Sequence, residues 1–315
     1  MESLGFPLAI LALAVFVTVS LRRAGPPDIV EMSGMRTGGR QRLTWFCDTE
    51  VNARQWFDFG ARNSKDVNRG YLQVSLDALQ ATQSRDFAIE TLVGRDAIIA
   101  AIGGTRPVSD TNAAQLPPAL FRLWAVANLC AKRGGLVMDG ASTLCVGPAF
   151  ADTLGGVEAA TFGVDPDEPV ANPTRAETPA PAPYVGYARS AGHPGWVHTA
   201  AVLNAVVEAG PTSWSAALAR RISSELYPQQ LSRGLTCIRE VDGGRLPNGR
   251  ARQLEDLLGR VGTPPDPNTA LTPGTVYVPF DGDALVRRFE FAWFPRMSAE
   301  QIKESDLVWA SYAGL

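Results

Sequence analysis

Apolar positions along this chain of 315 residues fall into one long uncharged run at the amino end, then a series of short runs punctuated by glycine, proline and acids. The long run, Leu4 to Leu21 (LGFPLAILALAVFVTVSL), is 18 residues without a charge. As a helix rising about 1.5 Å per residue it reaches roughly 27 Å, close to the hydrocarbon thickness of a bilayer. The basic pair Arg22-Arg23 follows the run, and the start Met1-Glu2-Ser3 lacks the positive leader of a cleaved signal peptide. An uncleaved single-pass anchor is therefore expected in residues 1–24, with a linker at 25–40 and the body at 41–315. The positive-inside rule places that body on the cytoplasmic side, with a luminal body as the alternative in a eukaryotic host.

In the body, Leu43-Thr44-Trp45-Phe46-Cys47 is short and rich in β-formers, so it predicts a buried strand that stops at Asp48, with Trp45 and Phe46 inside. Tyr71, Leu72, Ser75, Leu76 and Leu79 recur at helical spacing, and Phe87 to Val93 (FAIETLV) predicts a second strand ending at Gly94. Pro117-Pro118 opens a helix whose apolar face includes Leu120, Leu123, Trp124, Ala127 and Cys130. Gly134-Gly135 stops it before the strand Leu136-Val137-Met138, which leaves Asp139 at a strand's carboxyl end. Asp165 to Pro183, with six prolines, predicts a long exposed loop. Beyond it come a strand at Tyr184 to Ala188, helices at Trp196 to Ala209, Ser213 to Glu225 and Arg252 to Leu258, a strand at Thr275 to Phe280 and a closing helix at Ala299 to Tyr312. Strands alternating with helices predict an α/β fold with a mostly parallel, Rossmann-type sheet flanked by helices. Ligands of such sheets bind outside the carboxyl ends of the strands, which singles out Asp48 and Asp139 by position alone.

Composition narrows the partners. With 29 Lys+Arg against 32 Asp+Glu the chain has a net charge of −3, so it carries no basic footprint and nucleic acid is not an expected partner. Only Lys65, Lys132 and Lys303 are lysines, a bias toward arginine that runs through the whole chain and reads as a genomic preference rather than a binding device. The four cysteines lie far apart without C-x-x-C spacing, which argues against a disulfide scaffold or a zinc site. His193 and His198 are the only histidines, so a Ser-His-Asp hydrolase has few bases to draw on. His198 falls inside a predicted helix and reads as structural, whereas His193, in Ser-Ala-Gly-His-Pro after a strand, is the functional candidate.

The segment Leu116 to Phe150, with its core ALFRLWAVANLCAKRGGLVMDGASTLCVGPAF, resembles the nucleotide-sugar-binding region of capsular-polysaccharide-type, DXD-containing glycosyltransferases of the GT-A-like kind. In that pattern a helix arginine and a double glycine lead into a strand ending in an acid; here these are Arg122, Gly134, Gly135 and Asp139. Thr44-Trp45-Phe46 resembles the family's opening strand, and Ala191-Gly192-His193-Pro194 and Gly210-Pro211 resemble its later landmarks in the same order. The resemblance implies a transferase that moves a sugar from a nucleotide-sugar to a glycan, lipid or protein acceptor. It implies donor-phosphate or metal contact by Asp139, phosphate or ribose contact by Arg122, and nucleotide-face contacts by Asp48 and Arg95. Gly134, Gly135 and Ser142 would lie in the donor site, with His193 and Trp214 toward the acceptor.

Carboxylates at a strand end suit a divalent metal, Mn or Mg, that neutralises a departing diphosphate. Here the second acid of the DXD is missing, because Gly140, Ala141 and Ser142 follow Asp139. Two literal D-x-D strings occur elsewhere, Asp165-Pro166-Asp167 in the proline-rich loop and Asp281-Gly282-Asp283 directly after the strand TVYVPF. Convergence of Asp283 on Asp139 would supply the missing ligand. The alternative is a catalytically inactive relative that serves as a membrane-tethered binding or scaffold protein.

Overall fold

The computed structural model describes residues 40–48, 69–103, 112–147, 150–163, 184–210, 222, 226–239, 241–262 and 270–314. The apolar run 4–21, the linker up to residue 39, the proline-rich loop with Asp165 and Asp167, and Trp214 lie outside the described residues. Among the described residues no helix is long and apolar enough to cross a membrane.

Strands β1 (Gln41–Cys47), β2 (Phe87–Val93), β3 (Gly135–Asp139), β5 (Ala159–Phe162), β6 (Val185–Ala188) and β7 (Thr236–Ile238) form one sheet in the order β2-β1-β3-β6-β5-β7. Pairings of β1 with β2 and β3, and of β5 with β7, are parallel, while β6 is antiparallel to both of its neighbours. Five strands therefore run one way and β6 alone is reversed, a mixed α/β architecture consistent with the expected Rossmann-like class. Two further strands, β4 (Thr143–Cys145) and β8 (Tyr277–Pro279), make a small antiparallel pair beside the carboxyl end of β3.

Side chains on a strand alternate between faces, and this sorts the core into two layers. Leu43, Trp45, Cys47, Leu136, Met138 and Tyr187 face one layer, where α1 (Gly70–Gln83) packs. Phe46, Val137 and Ala188 face the other, against α2 (Arg95–Ile102) and α3 (Pro118–Arg133). Trp45 and Phe46 are buried, as their place in the first strand predicts. Burying a side chain of that size from water is worth about 1.5–3 kcal/mol, so these two layers account for much of the fold's cohesion. A long helix, α5 (Pro194–Glu208), completes the second layer, with Pro194 at its first turn where the missing N–H costs nothing.

The remaining described helices are α4 (Phe150–Leu154), α6 (Leu254–Leu258), α7 (Gly282–Arg287), α8 (Ala299–Lys303) and α9 (Val308–Ala313). The closing helix expected over 299–312 is thus two short helices. Between them the backbone is drawn onto the segment after α6: Val261 N–H donates to Asp306 O at 2.8 Å and Val308 N–H to Gly259 O at 2.9 Å. Residues pulled into that pairing cannot also continue a helix. The strand expected over 275–280 shortens to Tyr277–Pro279, paired with β4 and bridged at Tyr277 to Asp242.

Candidate functional site

Strand alternation positions the acids. Phe46 and Asp139 are register partners in the β1–β3 pairing, and Phe46 and Val137 both face the layer that holds α3. Two residues further along each strand, Asp48 and Asp139 therefore point to that same layer at the carboxyl edge of the sheet. There they meet Arg122 from α3. Its Nε and Nη2 donate to Asp48 Oδ1 at 3.2 and 3.1 Å, and its Nη1 donates to Ser142 Oγ at 3.3 Å. Asp139 Oδ2 lies 3.6 Å from Nε, an ion pair rather than a hydrogen bond. Nη2 also donates to Asp283 Oδ1 at 3.1 Å. One guanidinium thus gathers three carboxylates that lie far apart in the sequence, those of Asp48, Asp139 and Asp283.

Glycines make this convergence possible at two points of close approach. A Cβ on Gly140 would fall inside the Trp45 indole ring, so the residue after Asp139 has to be glycine for the strand end to lie against β1. A Cβ on Gly282 would fall on the carbonyl of Ala141, and that contact brings the 281–283 turn against the loop after β3. Phe280 N–H donating to Ser142 O at 2.9 Å joins the same two segments. Behind them an aromatic cluster holds the turn in place: Phe280 meets Trp309 at 4.7 Å and Tyr71 at 6.2 Å between ring centroids. Each such pair adds about 0.5–1.5 kcal/mol beyond its buried area. Of the two acids in Asp281-Gly282-Asp283, only the second reaches the site. Asp281 caps α7 by accepting from Ala284 N–H at 2.8 Å.

The electrostatics are tight. Side chains of Asp48 and Asp139 are 1% and 0% exposed, and both lean on Arg122, itself 8% exposed. Burial pushes the Asp139 carboxyl up to about 6, with Arg122 opposing that rise and Asp48 adding to it. Burial alone would lower the Arg122 pKa, but Asp139, Asp48 and Asp283 together raise it above its usual value, which makes it a permanent cation. Asp139 Oδ1 accepts from Ala141 N–H at 2.9 Å, whereas its Oδ2 is sealed from solvent with no hydrogen-bond partner. Arg95 adds a second cation at 3.4 Å from Asp48 Oδ2, held there by donating to the carbonyls of Ala114 and Leu116 and by lying over the Phe121 ring at 4.5 Å. At the rim, Arg287 stands 3.6 Å from Asp283 Oδ2.

Asp48, Arg95, Arg122, Asp139, Ser142 and Asp283 therefore form one cluster. The structure does not bring Gly134, Gly135 and His193 to it. Gly134 and Gly135 take positive φ values of 63° and 89° at the amino end of β3, where they turn the chain from α3 into the sheet. Because β6 is reversed, the segment that follows it also arrives at that amino end: a Cβ on Gly134 would lie 2.8 Å from the Ser190 backbone. His193 caps α5 there, its Nδ1 accepting from Gly195 N–H at 3.3 Å. His198 lies within α5 and bonds Gln229 at 2.8 Å, a structural placement. Among the described residues no three acid, histidine or cysteine side chains stand close enough together to hold a metal ion as they are. The chain matches no known protein family, no curated protein and no solved structure.

Proposed function

We propose that the chain is a membrane-anchored, GT-A-like glycosyltransferase that moves a sugar from a nucleotide-sugar donor to a glycan, lipid or protein acceptor. One observation supports this reading above the others: acids from the ends of two parallel strands and from a distant turn converge on Arg122 at the carboxyl edge of the sheet, where such sheets bind nucleotides. A cluster of buried carboxylates is a costly arrangement for a purely structural role, since apolar residues of similar size would fill the same space with less desolvation. A buried acid perturbed as Asp139 is belongs to the kind that concentrates at functional sites.

Two features support a divalent cation: carboxylate oxygens are the ligands Mn and Mg prefer, and Asp139 Oδ2 is a buried oxygen without a hydrogen bond. Asp139 and Asp283 would hold the ion, which when bound supplies charge neutralisation for a departing diphosphate. The protein's own groups do the rest. Arg122 fixes the acids in place, Arg95 stands beside Asp48 as a second cation, and Ser142 presents a hydroxyl beside Arg122.

A second reading is a catalytically inactive, membrane-tethered binding protein on the same fold. It is favoured by the engagement of Arg122, which donates four hydrogen bonds to Asp48, Ser142 and Asp283 and so keeps no paired donors free for a phosphate. Binding of a panel of nucleoside diphosphates and nucleotide-sugars to the full-length protein, with and without manganese, separates the two. Metal-dependent binding that is lost in Asp139→Asn is the result expected of the transferase. Absence of binding by a folded protein favours the inactive relative.

A further inference from the structure

A cavity of about 620 Å³ opens at the opposite, amino end of the same sheet, lined by four arginines: Arg40, Arg42, Arg133 and Arg189. Sheet topology alone puts them together. Arg40 and Arg42 stand at the start of β1, Arg133 ends α3 just before β3, and Arg189 follows the reversed strand β6. Among the described residues Asp86 is the one acid in the lining. Compensation of the arginines from outside is partial. Glu90 serves both Arg133, at 2.9 Å, and Arg42, at 4.0 Å. Arg189 pairs with Glu158 at 3.1 Å, but both side chains are about half or more exposed and such surface pairs hold weakly. Arg40 donates to a neutral carbonyl, Ser84 O, at 2.6 Å. Arg133 Nη1 is sealed from solvent and finds no acceptor within the protein.

We infer that this cavity is an anion-binding site for an organic phosphate. Arginines from three different segments line the cavity, and a guanidinium suits the oxygens of a phosphate or diphosphate, which accept paired N–H donors. A cavity of this size exceeds the needs of a lone phosphate and falls in the range of small-molecule sites. Phe87, Leu154 and Tyr187 supply an apolar floor for the rest of the ligand. The site is separate from the acid cluster: Gly135 and Asp139 stand at opposite ends of β3, about 13 Å apart at a rise of about 3.3 Å per residue. The inference does not rest on the transferase reading.

Titration calorimetry of the full-length protein tests it, with inorganic pyrophosphate as the probe in the presence of a chelator. Saturable binding is expected, unchanged in Asp139→Asn and weakened at least roughly tenfold in Arg133→Gln by the loss of a charged donor. The double variant Arg40→Gln/Arg189→Gln changes only exposed side chains and should weaken binding while leaving thermal stability in place, so the test survives even if Arg133→Gln fails to fold. Short-chain phosphatidic acid in competition distinguishes the source: displacement of pyrophosphate by it, and not by short-chain phosphatidylcholine, identifies a lipid phosphate, and failure to displace identifies a soluble one. No binding of either phosphate, binding unmoved in both arginine variants, equal competition by phosphatidylcholine, or loss of binding in Asp139→Asn would each overturn the assignment.

Discussion

Replacing Asp139 by asparagine should make the protein more stable at neutral pH, by an amount that depends on pH in a defined direction. The Asp139 carboxyl is pushed up to about 6 from an ordinary 3.8, with burial as the leading cause. The folded protein therefore holds this proton more tightly than the unfolded chain does. The resulting stabilisation is complete below the unfolded pKa and is lost as pH rises through about 6. Above that the ionised, fully buried carboxylate costs the fold about 3 kcal/mol relative to its neutral form, because each tenfold difference in proton affinity between folded and unfolded chain is worth about 1.4 kcal/mol. Asparagine cannot ionise, yet it keeps an oxygen for the Ala141 N–H that donates to Asp139 Oδ1 at 2.9 Å. Denaturant unfolding of the full-length wild type and Asp139→Asn, compared between about pH 4 and about pH 8, measures the difference directly. The variant's stability relative to wild type should rise by about 2.5 kcal/mol over that interval, most of it below pH 7. A difference that stays flat with pH, or that moves in favour of wild type, would refute the reasoning.

Arg122→Met should cost about 3–5 kcal/mol at neutral pH, because it leaves Asp48 and Asp139 buried without their shared cation, and part of that loss should return on acidification as Asp139 takes up a proton; thermal unfolding at two pH values checks both. Gly140→Ala should destabilise by about 1–3 kcal/mol or more through overpacking against Trp45, with a shift in tryptophan fluorescence that reports the displaced indole. Gly282→Ala should push the 281–283 turn off the Ala141 carbonyl and carry Asp283 away from Arg122, so manganese-dependent nucleotide binding should fall while Asp48 and Arg122 stay paired; calorimetry with and without manganese reads that outcome.

Much of the site was legible because the signals that mark it are local. A short β-rich run ending in an acid needs no tertiary information to be read, which is why Asp48 and Asp139 stand out at strand ends, and proline followed by a regular apolar face announces α3 and its Arg122. Asp283 was legible only as one of two D-x-D strings, and nothing local says that Gly282 lets its turn touch the loop after β3. The double glycine precedes β3 and so lies at its amino end, away from Asp139, while His193 joins it there because the reversal of β6 sends the segment 189–193 to that end, which no local pattern announces. Strands β4, β5 and β7, three or four residues each, are too short to show a period of their own and exist because neighbours pair with them.

The sequence by itself determined the class of fold, the main helices, the buried face of β1 and the two acids at the strand ends, since alternation and helical periodicity are properties of consecutive residues. Tertiary structure alone decided that three distant carboxylates share one guanidinium, that the closing segment breaks into two helices, and that four arginines from three segments line one cavity. These depend on contacts between residues far apart in the chain, whose pairing is fixed by strand order and close approach rather than by any local pattern.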